Sequence, residues 1–177
     1  MTNIREMVTN EIEKIYGENA VYILNSRDVI DEINVGERYQ AKGNDQMVEF
    51  CIEIALEKAR KFNDTRLTPA TVKVGDGVTV HLYSDAHAYT VIKVTKCSIT
   101  VQRDTATIDP NFKPEFVTGG FAGHCTNQSE QTYTYERNPE GNVETYRWST
   151  KNNRYQGGGD GSIIVTKGRH EFYDYNF

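Results

Sequence analysis

The chain has 177 residues, 37% of them hydrophobic and 25% charged, with a net charge of −5. That length suits one medium domain or two small ones with a real buried core, and the composition excludes wholesale disorder. The acidic balance argues against broad, charge-driven nucleic-acid binding, which needs clustered Lys and Arg, yet it is too mild for a mimic of duplex DNA.

No apolar run approaches the ~20 residues that cross a bilayer. The opening MTNIREMVTNEIEK lacks a signal peptide's apolar centre, so a cytoplasmic location is expected. Cys51, Cys97 and Cys125 are odd in number and widely spaced, without a Cys-x-x-Cys, which weighs against a disulfide framework.

Asn3 can cap a first helix, with Glu6 three residues on completing a capping-box pattern. Ile4, Met7, Val8, Ile12 and Ile15 then recur at helical spacing, and Gly17 supplies the stop. An amphipathic helix packed on its own domain is the simplest account; a homodimer or partner-docking helix is the alternative. Residues 20–24 are apolar but too few for periodicity to decide between strand and helix. Ser26 offers a cap for a short helix over residues 28–33, and the polar stretch 34–44, holding Gly36 and Gly43, reads as a loop.

Asn44 or Asp45 caps the strongest helix, residues 46–62. Met47, Cys51, Ile54, Ala55 and Phe62 form one stripe and Val48, Ile52, Leu56 and Ala59 a second, which predicts burial on two sides. Cys51 reads as a small buried hydrophobe. Lys58, Arg60 and Lys61 fall in the expected last turn, where cations complement the helix dipole; that account outweighs a phosphate site. Arg66-Leu67-Thr68-Pro69 is the linker, because the residue before a proline leaves the helical region.

Beyond it the composition changes: 11 of the 14 Gly, the single Trp and most Tyr and Phe follow. Three strands are expected between Lys73 and Asp104, where β-branched and aromatic residues alternate with period two, as in a sheet with one buried and one wet face. Residues 105–131 show little periodicity and read as a long loop, of a length that is usually functional or mobile; its glycine-rich part, 119–127, reads first as a flexible surface loop. Tyr133 and Tyr135, then Tyr146 and Trp148, alternate on either side of Asn138-Pro139-Glu140-Gly141-Asn142, which reads as a hairpin turn. A last strand is expected over residues 162–167. The ending, Glu171 to Phe177, alternates aromatic and polar residues and could pair along a sheet edge. The expected fold class is α+β: a helical N-terminal region, 1–68, packed on a C-terminal antiparallel, SH3-like or half-barrel sheet, 69–177.

No catalytic constellation is complete. His124 and Cys125 are adjacent, and neighbours on an extended chain point opposite ways, so the imidazole does not readily activate that thiol. His81, Asp85 and His87 could make a general-base pair around one turn, but a polar hairpin corner is the commoner outcome. The separations of His81, His87, His124, His170, Cys97 and Cys125 match no zinc pattern, so no metal or cofactor is expected. The exposed aromatics could stack on bases or anchor a protein interface; the charge favours a protein or a small ligand.

At VGDGVTVHLYSDAHAYTVIKV, ITVQRDTATI, YTYERNPEGN and EFYDYNF the chain resembles a family of small proteins from phages and mobile elements of Firmicutes. Some of that family act against host defence, including type II anti-CRISPR inhibitors that bind Cas9. The resemblance implies a non-enzymatic inhibitor, acting by protein–protein contact in the host cytoplasm on a Cas9-like effector. The contact residues expected are Phe112, Phe116, Phe121, His124, Asn127, Tyr133, Tyr135, Tyr146 and Trp148. The alternatives are a sponge for a nucleotide signal using Arg103, Arg147 and His87, or a small nucleic-acid-binding module; direct nucleic-acid contact is not expected to dominate.

Overall fold

The computed structural model describes residues 3–119 and 122–176, in two compact units. The first comprises residues 1–71 and 150–153; the second comprises 72–149 and 154–177. The α+β expectation holds: helices occupy the N-terminal part, and an antiparallel sheet in the C-terminal part closes into a barrel. Among the described residues, no helix is long and apolar enough to cross a membrane.

In the helical unit, α1 (Ile4–Tyr16) starts at Asn3, whose side chain accepts the Arg5 N–H at 2.8 Å, and stops at Gly17, where φ is 52°. Ile4, Val8 and Ile12 are buried, whereas Met7 and Ile15 face water. A 3-10 turn leads into α2 (Ala20–Leu24), so the short apolar run is helical. The helix α3 (Arg27–Gln40) runs twice as far as the sequence suggests, and residues 34–40 are helix rather than loop. Gly36 is the reason its propensity misleads. It is buried, and a Cβ there would run into Ile4 Cδ1 and approach Cys51 Cβ at 3.1 Å, so the glycine lets three helices meet closely. The helix α4 (Asp45–Thr65) is capped by Asn44, which accepts the Met47 N–H at 3.2 Å, and it extends a turn past Phe62. Cys51 is buried in its core stripe. The turn 150–153 belongs to this unit, Asn153 donating to the Tyr22 carbonyl at 2.7 Å.

In the second unit the strands are β1 (Gly77–His81), β2 (Ala86–Val94), β3 (Ser98–Arg103), β4 (Thr105–Ile108), β5 (Phe116–Gly119), β6 (Ala122–Cys125), β7 (Tyr133–Glu136), β8 (Val143–Ser149), β9 (Arg154–Gly157) and β10 (Ile163–Lys167). Six close a barrel in the order β1-β10-β9-β8-β3-β2. Paired residues share a face, so the registers Val78↔Tyr89, Val91↔Val101, Ile99↔Tyr146, Trp148↔Tyr155 and Val165↔Val80 define one interior layer. Tyr146 therefore points into the core, 3% exposed, rather than onto an aromatic surface. Gly157 stands opposite its ring, where a Cβ would come within 2.8 Å of it.

The opposite face of β1 and β2 is not wet as the alternation predicts. Thr79, Ala88 and Thr90 are buried because the segment 168–176 covers them. Thr79 donates to the Gly168 carbonyl at 2.7 Å, and Phe172 makes a β-bridge with Ala86. The chain's ending does pair along a sheet edge.

The turn at Asn138-Asn142 is not a hairpin. β7 pairs with β4 and β8 pairs with β3, so the run β7–β8 lies antiparallel to β3–β4 and the turn bulges out of that pair. Gly141 sits where a Cβ would strike the Arg103 carbonyl, and Arg103 N–H donates to Asn142 O at 2.8 Å. The supposed loop 105–131 contains β4 and the β5–β6 hairpin.

Candidate functional site

Two places in the second unit gather chemistry. The first is one mouth of the barrel, where the interior layer turns polar. The Glu171 carboxylate accepts from Arg103 Nη2 at 2.5 Å and the Ala88 N–H at 2.9 Å, and its Oε1 lies 3.0 Å from His87 Nδ1. The Arg103 guanidinium lies 5.6 Å from the centre of the Tyr89 ring, and Tyr89 donates to Glu144 at 2.7 Å. Tyr146 donates to the other Glu144 oxygen. Burial, then the Glu144 hydrogen bond and charge, push both phenols far above the ordinary tyrosine range. Burial acts to raise the Glu171 pKa, but the bonds from His87, the Ala88 amide and Arg103 outweigh it and hold the carboxylate below its usual value.

Behind this mouth a second network fixes the C-terminal segment. Arg169 Nε meets Asp104 Oδ2 at 2.7 Å, Arg169 Nη2 meets Thr90 Oγ1 at 2.7 Å, and Thr90 also donates to Asp104 at 2.8 Å. Glu171, Arg103, Asp104 and Arg169 each face an opposite charge, so the arrangement clamps residues 168–171 to the barrel. Sequence reading singled out Arg103 and His87 but missed Glu171, which joins them from 68 and 84 residues away. Arg147 is not part of the cluster. It pairs with Ser98 at the far end of the β3–β8 ladder. His81, Asp85 and His87 also part company: His81 bonds Thr166 at 2.8 Å, and Asp85 accepts the Asp174 N–H at 2.9 Å. Among the described residues no group of three or more His, Cys, Asp or Glu could hold a metal ion.

The second place is the β5–β6 hairpin, whose strands pair only with each other. All four residues of β5 are exposed, Phe116 at 55% and Val117 at 51%. Its base is nevertheless held firmly. The Asn127 side chain accepts the Glu115 N–H at 2.9 Å and donates to the Lys113 carbonyl at 3.0 Å. Asn176 brackets Cys125, accepting its N–H at 2.6 Å and donating to its carbonyl at 3.2 Å. Tyr175 lies between Phe112 and Phe116, with ring centres 6.3 and 6.2 Å away, and meets Tyr173 edge-on at 4.9 Å. His124 and Cys125 do diverge, the histidine exposed and the thiol buried.

Of the expected contact residues, Phe112, Phe116, His124 and Asn127 therefore converge on this hairpin. Phe121 lies outside the described residues. Tyr133 and Tyr135 stand half-buried on β7, Tyr135 accepting the Glu171 N–H at 3.1 Å, and burial and neighbouring charge push Tyr133 up to about 12. Trp148 packs edge-on against Tyr155 at 5.1 Å in the barrel. Tyr175 and Asn176 were legible only as an alternating tail. No protein-family model matches the chain, and no curated protein or solved structure matches it either.

Proposed function

We propose that the chain is a non-enzymatic binding protein of phage or mobile-element origin that inhibits a host defence system by protein–protein contact, with a Cas9-type effector as the partner to test first. The observation that carries this reading is the β5–β6 hairpin, rigid at its base and apolar at its exposed strand. A pre-ordered ridge bearing Phe116 and Val117 loses little conformational entropy on docking, which is what a tight protein contact requires. Among the described residues no third strand pairs with β5 or β6, which leaves an edge for a partner strand to meet. The paired state of Glu171, Arg103, His87 and Asp104 supports a structural use for the titrating groups.

The test is a pull-down of defence effectors, Cas9 included, with the full chain at rising salt, beside Phe116→Ala/Val117→Ala. Retention of an effector that the double variant loses, roughly tenfold or more in affinity, supports the hairpin as the contact. Retention of nothing even at low salt overturns the proposal.

A further inference from the structure

The helical unit carries a cleft of about 400 Å³ whose walls include Ser26, Arg27, Asp28, Lys58, Lys61 and Arg66. Residues 1–70 hold 13 acidic and 9 basic side chains, yet four of those cations border this one cleft and Asp28 is the only acid in its lining. The helix dipole does not account for them. α4 continues to Thr65, so Lys58 and Lys61 stand before its last turn and Arg66 follows its end. Lys58 is satisfied by Glu32 at 2.6 Å. Among the described residues Arg27, Lys61 and Arg66 form no ion pair. Like charges brought together without counter-charge repel, and set against Asp28 they leave a surplus of two positive charges.

The start of α3, a helix of 14 residues, lines the cleft. Its cap residue Ser26 is 8% exposed, and its side chain makes no capping bond to the first-turn amides. Ser26 thus lines the cleft beside first-turn N–H groups that have no intrahelical acceptor, a combination that suits an anion. From this we infer that the cleft binds a small phosphorylated molecule, its phosphoryl group on the α3 N-terminus and Ser26, between Arg27, Lys61 and Arg66. A phosphomonoester carries about two negative charges at neutral pH, which matches the surplus. A nucleic-acid strand fits poorly, because the protein's net charge of −5 repels a polyanion while a local cation cluster still holds a single phosphate.

Isothermal titration of the full chain with sodium phosphate and with AMP tests this at low salt. Binding of at least one with Kd below about 1 mM, weakened roughly tenfold or more by Lys61→Ala/Arg66→Ala, is the expected result. Equal affinity for the two probes assigns recognition to the phosphate alone; tighter AMP binding adds a contribution from the nucleoside. Arg27→Ala, at an exposed position, is expected to weaken binding as well and serves if the double variant does not fold. Lys14→Ala, which removes the same charge on α1, leaves affinity unchanged. Absence of binding to both probes at that concentration overturns the inference. So does equal loss in the Lys14 variant, or none in the cleft variants. The outcome is independent of the hairpin, whose variants leave this cleft intact.

Discussion

Replacing Glu171 with Ala should release the C-terminal segment from the barrel. The substitution strips an acceptor from Arg103, His87 and the Ala88 N–H together. Breaking a fully buried ion pair from one side costs about 3–5 kcal/mol. Here Arg103 and His87 keep 24% and 28% of their side-chain surface in water, so about 2–4 kcal/mol is expected. Trp148, the only tryptophan, lies in the barrel, so its fluorescence in urea reads the barrel unit while far-UV circular dichroism reads the helices. At an m-value of about 2 kcal/mol/M the loss appears as a drop of about 1–2 M in the fluorescence midpoint.

Glu171→Gln keeps a carbonyl acceptor but no charge and should lose about half as much, since charge-assisted bonds are roughly twice as strong as neutral ones. The acid dependence has a definite sign. A carboxylate held below its ordinary pKa contributes stability that is complete above that ordinary value, 4.5, and is lost as the pH falls below it. The gap between wild type and Glu171→Gln should therefore close on acidification. A Glu171→Ala stability within about 0.5 kcal/mol of wild type, or a gap between wild type and Glu171→Gln that stays constant down to acid pH, refutes the clamp.

Gly36→Ala drives a methyl into Ile4 at a closely packed helix crossing and should cost about 1–3 kcal/mol, read from the helical signal on thermal melting. An unchanged melting temperature would mean that the helices separate freely there. Cys97 is exposed while Cys51 and Cys125 are buried, and burial, with Glu32 nearby, raises the Cys51 pKa. A thiol reagent should label one cysteine quickly in the native protein and three in urea. Fast native labelling of two or three contradicts the packing described.

The residues themselves determined the class. Period-3.6 apolar spacing in α1 and α4, asparagine caps at Asn3 and Asn44, and period-two runs in β1–β3 are local signals, written within a turn or a strand of where they act. The separation of His124 from Cys125 follows from the same local geometry. The remainder was decided across long sequence distances. Gly36 looks like a loop residue until Ile4 and Cys51 close on it. The Asn138–Asn142 turn looks like a hairpin until β4 takes β7 and β3 takes β8. Thr79 and Thr90 look solvent-facing until Gly168 and Arg169 cover them. Glu171, in a tail that alternates aromatic and polar residues, acquires meaning only beside Arg103 and His87. Local patterns report which face of an element is apolar; which partner covers that face depends on how the chain returns, and no short window of sequence contains that return.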